Sequence, residues 1–229
     1  MYVPSHFEET DVNVLHGFMR AHPLGAMVTQ TAAGLDANHL PFLLHEGPGP
    51  CGTLHGHVAR ANPVWRDSAR DAGTLVIFQG AERFISPSWY TTKQETQKVV
   101  PTWNYVVVHA RGPLRIIDDA VWLRAHLEEL TRAHEEMRPA PWHITDAPAD
   151  YIDKMVTALV GLEIPIATLT GKWKVSQNRP ERDRAGVVDG LTRERTPAAA
   201  AMADLVRKTL EPGLPERLDG VPPRSPGTP

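Results

Sequence analysis

Between Leu24 and Ala110 the chain runs as short apolar and β-branched segments parted by turn signals, with only brief helical stretches among them. A doubly wound parallel sheet needs a crossover of about a dozen residues, usually helical, between successive strands, and that regular alternation is missing. The spacing predicts a mainly β fold, an antiparallel barrel with peripheral helices.

The elements can be placed one by one. Strands are predicted at Leu24 to Thr29 and, after the turn at Ala33-Gly34, at Leu35 to Leu44. Pro41 sits inside the second, where a residue without an N–H suits an edge or a bulge. Gly47-Pro48-Gly49-Pro50 reads as a loop. Gly52 to Ala59 alternates, Leu54 and Gly56 against His55 and His57. Asn62-Pro63 reads as the capped start of a short helix through Ala69. A strand at Thr74 to Gln79 leads to a loop-like run, Ala81 to Tyr90. Thr102 to Ala110 reads as a long strand, continued by Pro113 to Ile117. Helical spacing marks Asp11 to Ala21, Ala120 to Met137 and Tyr151 to Val160, and a last strand is expected at Ile164 to Leu169. Residues 1–210 are expected to form one domain. The proline-rich segment 211–229 has little to bury and is expected to be flexible.

Of the 229 residues, 41% are hydrophobic, enough for a sizeable core. The formal net charge of -3 does not favour a broad nucleic-acid-binding face. Cys51 is the single cysteine, which excludes an intramolecular disulfide and fits a reducing, cytoplasmic setting. The start, MYVPSHFEET, lacks the basic and apolar regions of a signal peptide, and no apolar run approaches the ~20 residues of a membrane span.

Dinucleotide, P-loop and HExxH fingerprints are missing, and Ser86 and Ser88 lack the strained elbow of a nucleophilic serine. His55 and His57 share one side of a strand, where His39 and His109 could approach them. No carboxylate or cysteine accompanies them at ligand spacing, so hydrogen-bonded strand histidines are the simpler reading and no metal site is assigned. His16, His126 and His134 read as surface or capping groups, and Trp65, Trp122 and Trp142 as packing residues. What remains is a scattered polar set: Asn38 and His39; His57, Arg60 and Asn62; Ser86, Ser88 and Trp89; Thr102, Trp103 and Asn104; and the run Gly171 to Arg179. Guanidinium, ammonium, amide and hydroxyl donors suit a dianionic phosphate, and indole rings suit a flat isoalloxazine, so the set has the chemistry of an FMN site.

At these residues the sequence resembles the PaiB-type FMN-binding negative transcriptional regulators. The matching stretches are MYVPSHF, ANHLPFLL (Ala37 to Leu44), LHGHVARANPVW (Leu54 to Trp65), FISPSWY (Phe84 to Tyr90), VVPTWNYVVVHARG (Val99 to Gly112) and GKWKVSQNRPERDRAGV (Gly171 to Val187). They cover the chain to about Leu191. The resemblance implies an FMN-binding split β-barrel of the pyridoxamine-phosphate-oxidase type, a homodimer with flavin in a groove between subunits. By position it implies cofactor contacts from Asn38, His39, Leu40, His57, Val58, Arg60 and Asn62 of one subunit, with Arg60 and Asn62 leading at the phosphate. Ser88 and Trp89 join them, Lys98, Trp103 and Asn104 come across the interface, and Lys172, Gln177 and Arg179 close the site. One departure stands out: pyridoxamine-phosphate oxidases carry arginine and lysine in the second strand, where this chain has Asn38, His39 and Pro41.

The resemblance implies a regulator, yet no helix-turn-helix signature is visible. The best basic segment, Lys172 to Arg195, is interleaved with Glu181, Asp183, Asp189 and Glu194, as a solvated, salt-bridged face is. Direct DNA binding is therefore expected to be weak and salt-dependent at most. The alternative is an FMN-dependent oxidoreductase with His57 or His109 as proton donor, and a more distant one is haem binding. No catalytic residue is assigned.

Overall fold

In the computed structural model, residues 1–47, 51–69 and 72–211 are described. The loop expected at Gly47 to Pro50 lies, save Gly47, outside them, as does the proline-rich tail beyond Glu211. The chain divides into two compact units interleaved in sequence. One holds Met1–Glu9, Gly80–Val107 and the segment from Gly171; the other holds Thr10–Gln79 and Val108–Thr170.

The second unit opens with α1 (Val12–Ala21), capped where the Asp11 carboxylate accepts the Asn13 N–H at 2.9 Å; its Leu15, His16 and Met19 are buried. Strands β2 (Leu24–Thr31) and β3 (Gly34–Pro41) form an antiparallel hairpin in full register, Leu24 opposite Pro41 and Thr31 opposite Gly34. Along the other side of β2, Leu75, Val76 and Ile77 of β6 (Thr74–Ile85) pair with Val28, Met27 and Ala26, which leaves β3 at the sheet edge. Pro41 thus ends an edge strand, the position proline tolerates. The chain breaks step at Phe42 before β4 (Leu43–His45), so the single run expected over Leu35 to Leu44 is two strands.

A second sheet in this unit has the order β4, β5 (Thr53–Ala59), β9 (Leu159–Pro165), β8 (Arg115–Ile117). Its two faces follow from the alternation in β5. Leu54 and Val58, opposite Ile164 and Val160, are buried on one face. His55 and His57, opposite Glu163 and Gly161, share the other. That face is covered by α4 (Ala120–Glu135), whose start Asp119 caps through the Trp122 N–H at 2.7 Å. The Trp122 ring lies so close that a Cβ on Gly161 would sit 2.8 Å from its Cε3, which is why the strand needs glycine there. Helix α5 (Ala149–Thr157) adds Ile152 and Val156 to a cluster with Leu123 and Ile144.

The first unit carries β1 (Glu8–Glu9), residues 171–174 of β10 (Thr168–Lys174), residues 102–107 of β7 (Thr102–Gly112) and residues 80–85 of β6, in that order. A 3-10 turn (Pro87–Trp89) and α3 (Lys93–Thr96) follow β6. Helices α6 (Glu181–Glu194) and α7 (Pro197–Lys208) complete it, joined through Arg195 in a left-handed conformation and Thr196, which caps α7.

Several expectations are corrected. The run Ala81 to Tyr90 is not all loop, because β6 continues to Ile85. The short second-unit helix α2 is Val64–Asp67, with Pro63 at its cap position and Asn62 bracing it through the Val64 N–H at 3.0 Å. Tyr151 to Val160 is helical only to Thr157, after which β9 begins. The strand expected at Ile164 to Leu169 is two strands that bend at Ile166 and Ala167, whose N–H groups bond the Gly52 and Arg111 carbonyls. Helices α6 and α7 were not anticipated. His16 and His126 are buried rather than surface groups, and Trp142 is exposed rather than packed. Among the described residues no helix is long and apolar enough to cross a membrane.

Candidate functional site

The expected site residues fall into two groups, one in each unit. In the second unit, Asn38 and Asn62 are brought together: Asn62 Nδ2 donates to Asn38 Oδ1 at 2.7 Å, and Asn38 Nδ2 donates to Asp36 at 2.9 Å. His39 is exposed and Leu40 half-buried on the same strand. Val58 is buried on the core face of β5.

Arg60, the leading phosphate candidate, is engaged elsewhere. Its Nη1 and Nη2 donate to the two carboxylate oxygens of Asp118 at 2.9 and 2.5 Å, its Nε to the Thr157 carbonyl and its Nη2 to the Leu159 carbonyl, both at 2.9 Å. The hydrogen bond from Arg60 holds the Asp118 carboxyl below its ordinary pKa. While these bonds hold, the guanidinium has few donors left to offer a phosphate.

His57 turns its ring toward α4. Its Nδ1 is hydrogen-bonded to His126 Nε2 at 3.1 Å, and the His126 ring stacks on Trp122 at an interplanar angle of 17°. His55 and His45 complete the cluster with ring centroids 4.1 Å apart, while Glu163 and Glu129 stand 3.4 and 3.6 Å from their Nε2 atoms. The partners of the two strand histidines are thus His45 and His126. His39 is exposed on the edge strand β3, and His109 carries a buried Nδ1 with no hydrogen-bond partner among the described residues. Burial lowers the pKa of His55 and His57, and burial together with the three neighbouring imidazoles pushes His126 down to about 3. Among the described residues no three histidine, cysteine or acidic side chains converge as a metal site.

The first unit brings more of the expected residues into one neighbourhood. Lys172 and Lys174 lie two apart on β10 and so share a face. Lys172 is 8% exposed; its ammonium donates to the Tyr2 carbonyl at 3.1 Å and lies 5.3 Å from the Tyr105 ring centre. Lys174 donates to Thr102 Oγ1 and, at 2.6 Å, to the Trp103 carbonyl. Burial, then the positive charges of Lys172 and Arg179, lower its pKa. Arg179 sits over the Tyr90 ring at 4.9 Å. Trp103 is 51% exposed and meets the half-exposed Phe84 edge-on, centroids 6.1 Å apart.

The remaining expected residues shape this neighbourhood. Asn104 is buried and bonded to Ser176 Oγ at 2.9 Å. Gln177 folds back, accepting the Val175 N–H at 2.8 Å and donating to the Trp173 carbonyl. Ser86 braces the 3-10 turn through the Ser88 N–H at 3.2 Å. Trp89 lies against α6, its ring on Gly190. Thr92 anchors the same segment to the buried Asp183, by backbone N–H at 2.9 Å and hydroxyl at 2.7 Å. Lys98 is exposed. Lys174 lies in the polar run Gly171 to Arg179 but is not among the cofactor contacts expected from the sequence, although its two-residue spacing from Lys172 puts both on one face.

The chemistry of this donor set fits a phosphorylated aromatic heterocycle. Burial first, and then the charges of Lys172 and Arg179, lower the pKa of Lys174, and a bound dianion would offset the part due to those charges. A half-exposed indole and phenyl ring beside them offer a flat apolar wall.

Comparison with known proteins points to a flavin cofactor. Residues 1–168 match the family described as "Putative FMN-binding domain". The chain is 30% identical to the protease synthase and sporulation protein PAI 2 of Bacillus subtilis, over 92% of this chain and 99% of that protein. It is 32% identical to an uncharacterized protein of Emericella nidulans, over 92% and 98%. Among solved structures it is similar to the flavocytochrome Anf3 of Azotobacter vinelandii, with TM-score 0.54 and 13% identity over 75% of this chain and 72% of that one. It is also similar to an FAD and heme binding protein of Mycobacterium smegmatis, with TM-score 0.52 and 16% identity over 73% of each chain. At such identities the likeness shows the fold alone: mainly antiparallel sheet with peripheral helices, the split-barrel type expected from the sequence.

Proposed function

Because the chain belongs to the FMN-binding domain family, with FMN as its cofactor, we propose that Lys172, Lys174 and Arg179 grip the flavin phosphate and that Trp103 and Phe84 flank its ring system. The observation that carries this reading is the placing of Lys172 and Lys174 two apart on β10, with Lys174 bonded to Thr102 and to the carbonyl of the half-exposed Trp103. When bound, FMN supplies reversible one- and two-electron redox chemistry. The chain's own residues bind and orient. Lys172 is held by the Tyr2 carbonyl and Lys174 by Thr102 and the Trp103 carbonyl, so both ammonium groups are placed before a phosphate arrives. Arg60 has no part at the phosphate.

The protein acts in this reading as a homodimer with the flavin near the subunit contact. The exposed Trp103, Phe84 and Val100 support it, since apolar surface of this kind marks protein contacts. The relative from Bacillus subtilis, named for protease synthesis and sporulation, supports a regulatory rather than metabolic role. We read the chain as a cytoplasmic flavin-binding regulator, with DNA contacts at most weak and salt-dependent.

FMN titration followed by flavin fluorescence tests the site. A charge-assisted hydrogen bond contributes about 1.5–3 kcal/mol, so Lys174→Gln is expected to weaken FMN at least tenfold. Unchanged affinity in that variant rules out the proposed grip.

A further inference from the structure

Ser176 is 3% exposed and holds φ at +67°, a left-handed conformation that a residue with a Cβ resists. Such backbone persists where its surroundings over-determine it, and it gathers at ligand clamps. Two side chains supply the restraint here. Asn104, 1% exposed in β7, donates to Ser176 Oγ at 2.9 Å. Gln177 ties Val175 to Trp173 across the same turn. The turn joins Lys172 and Lys174 on β10 to Arg179, whose own N–H donates to the Ser176 carbonyl at 2.9 Å.

We propose that Asn104 is a positioning residue: by holding Ser176 in its left-handed conformation it sets Arg179 relative to Lys172 and Lys174, and so makes the site select a phosphorylated flavin over an unphosphorylated one. The proposal rests on the FMN site above and differs from a direct cofactor contact, because the Asn104 side chain is buried and committed to Ser176. Glycine adopts the left-handed region without help, so Ser176→Gly removes the need for the clamp.

Four proteins test this: the wild type, Asn104→Ala, Ser176→Gly and the double variant. Each is titrated with FMN and with riboflavin, and each is unfolded in urea without flavin. Asn104→Ala is expected to weaken FMN about tenfold and riboflavin less than about twofold, since only the phosphate feels the cation spacing. Adding Ser176→Gly is expected to recover most of the FMN preference and of the urea midpoint. Equal weakening of both flavins, an unchanged preference, or no recovery by glycine overturns the proposal. A wild type that does not distinguish FMN from riboflavin overturns the site reading and the selection claim with it. The urea midpoints decide the coupling of Asn104 to Ser176 separately.

Discussion

The imidazoles of His57 and His126 meet nitrogen to nitrogen at 3.1 Å beneath α4, with the His126 ring stacked on Trp122. Burial and the positive charge that His57, His55 and His45 would carry keep His126 neutral, with a pKa of about 3. The sign of the resulting pH dependence follows. The unfolded chain binds a proton at His126 below about pH 6.5, while the folded chain resists it down to about 3. The contribution is full above pH 6.5 and is lost as pH falls through that window. His55 and His57, lowered by burial, act in the same direction. Urea unfolding between pH 7.5 and 4 should lose up to about 1.4 kcal/mol per pH unit for each imidazole kept neutral. His126→Phe should flatten that slope, and an identical slope in the variant contradicts the assignment.

Arg60→Ala should separate a structural from a ligand role. Removing the guanidinium leaves Asp118 and the Thr157 and Leu159 carbonyls without their donor. The expected outcome is a fall in Tm on the order of a few °C with FMN affinity changed less than about twofold. A large loss of FMN affinity at unchanged Tm would return Arg60 to the phosphate.

Gly190→Ala tests how closely Trp89 seats on α6. Alanine in a helix interior is ordinarily stabilising by about 1 kcal/mol relative to glycine. Here the added Cβ would fall 2.5 Å from Cγ and Cε2 of Trp89. Overpacking costs about 1–3 kcal/mol, so the clash should win and the urea midpoint should fall. A raised midpoint would mean that the indole moves away freely.

What could be read from the sequence was local. The alternation of His55 and His57 against Leu54 and Gly56 marked the two faces of β5, and the helical spacing of Asp11 to Ala21 marked α1. Longer-range partnerships were not legible: Asp118 is 58 positions from Arg60 and His126 is 69 from His57. Arg60 therefore looked like an open cation, and His126 like one more surface group on an amphipathic helix. The charges of Glu181 to Glu194 suggested a solvated face and hid a helix whose Val187, Gly190 and Leu191 are buried. In the first unit Trp103, Lys172 and Arg179 were expected at the cofactor, while Lys174, inside the same run Gly171 to Arg179, was not singled out. The structural roles of the buried Asn104 and the half-buried Gln177 depend on a left-handed serine, which no spacing rule announces.

The cation grip is tested most directly by comparing FMN with riboflavin, which lacks only the phosphate, on the wild type and on a Lys172→Gln, Lys174→Gln, Arg179→Gln triple variant. The account predicts that the wild type prefers FMN by about a hundredfold or more and that the triple variant binds the two flavins about equally. A triple variant that stays folded and keeps the full preference for FMN would contradict it.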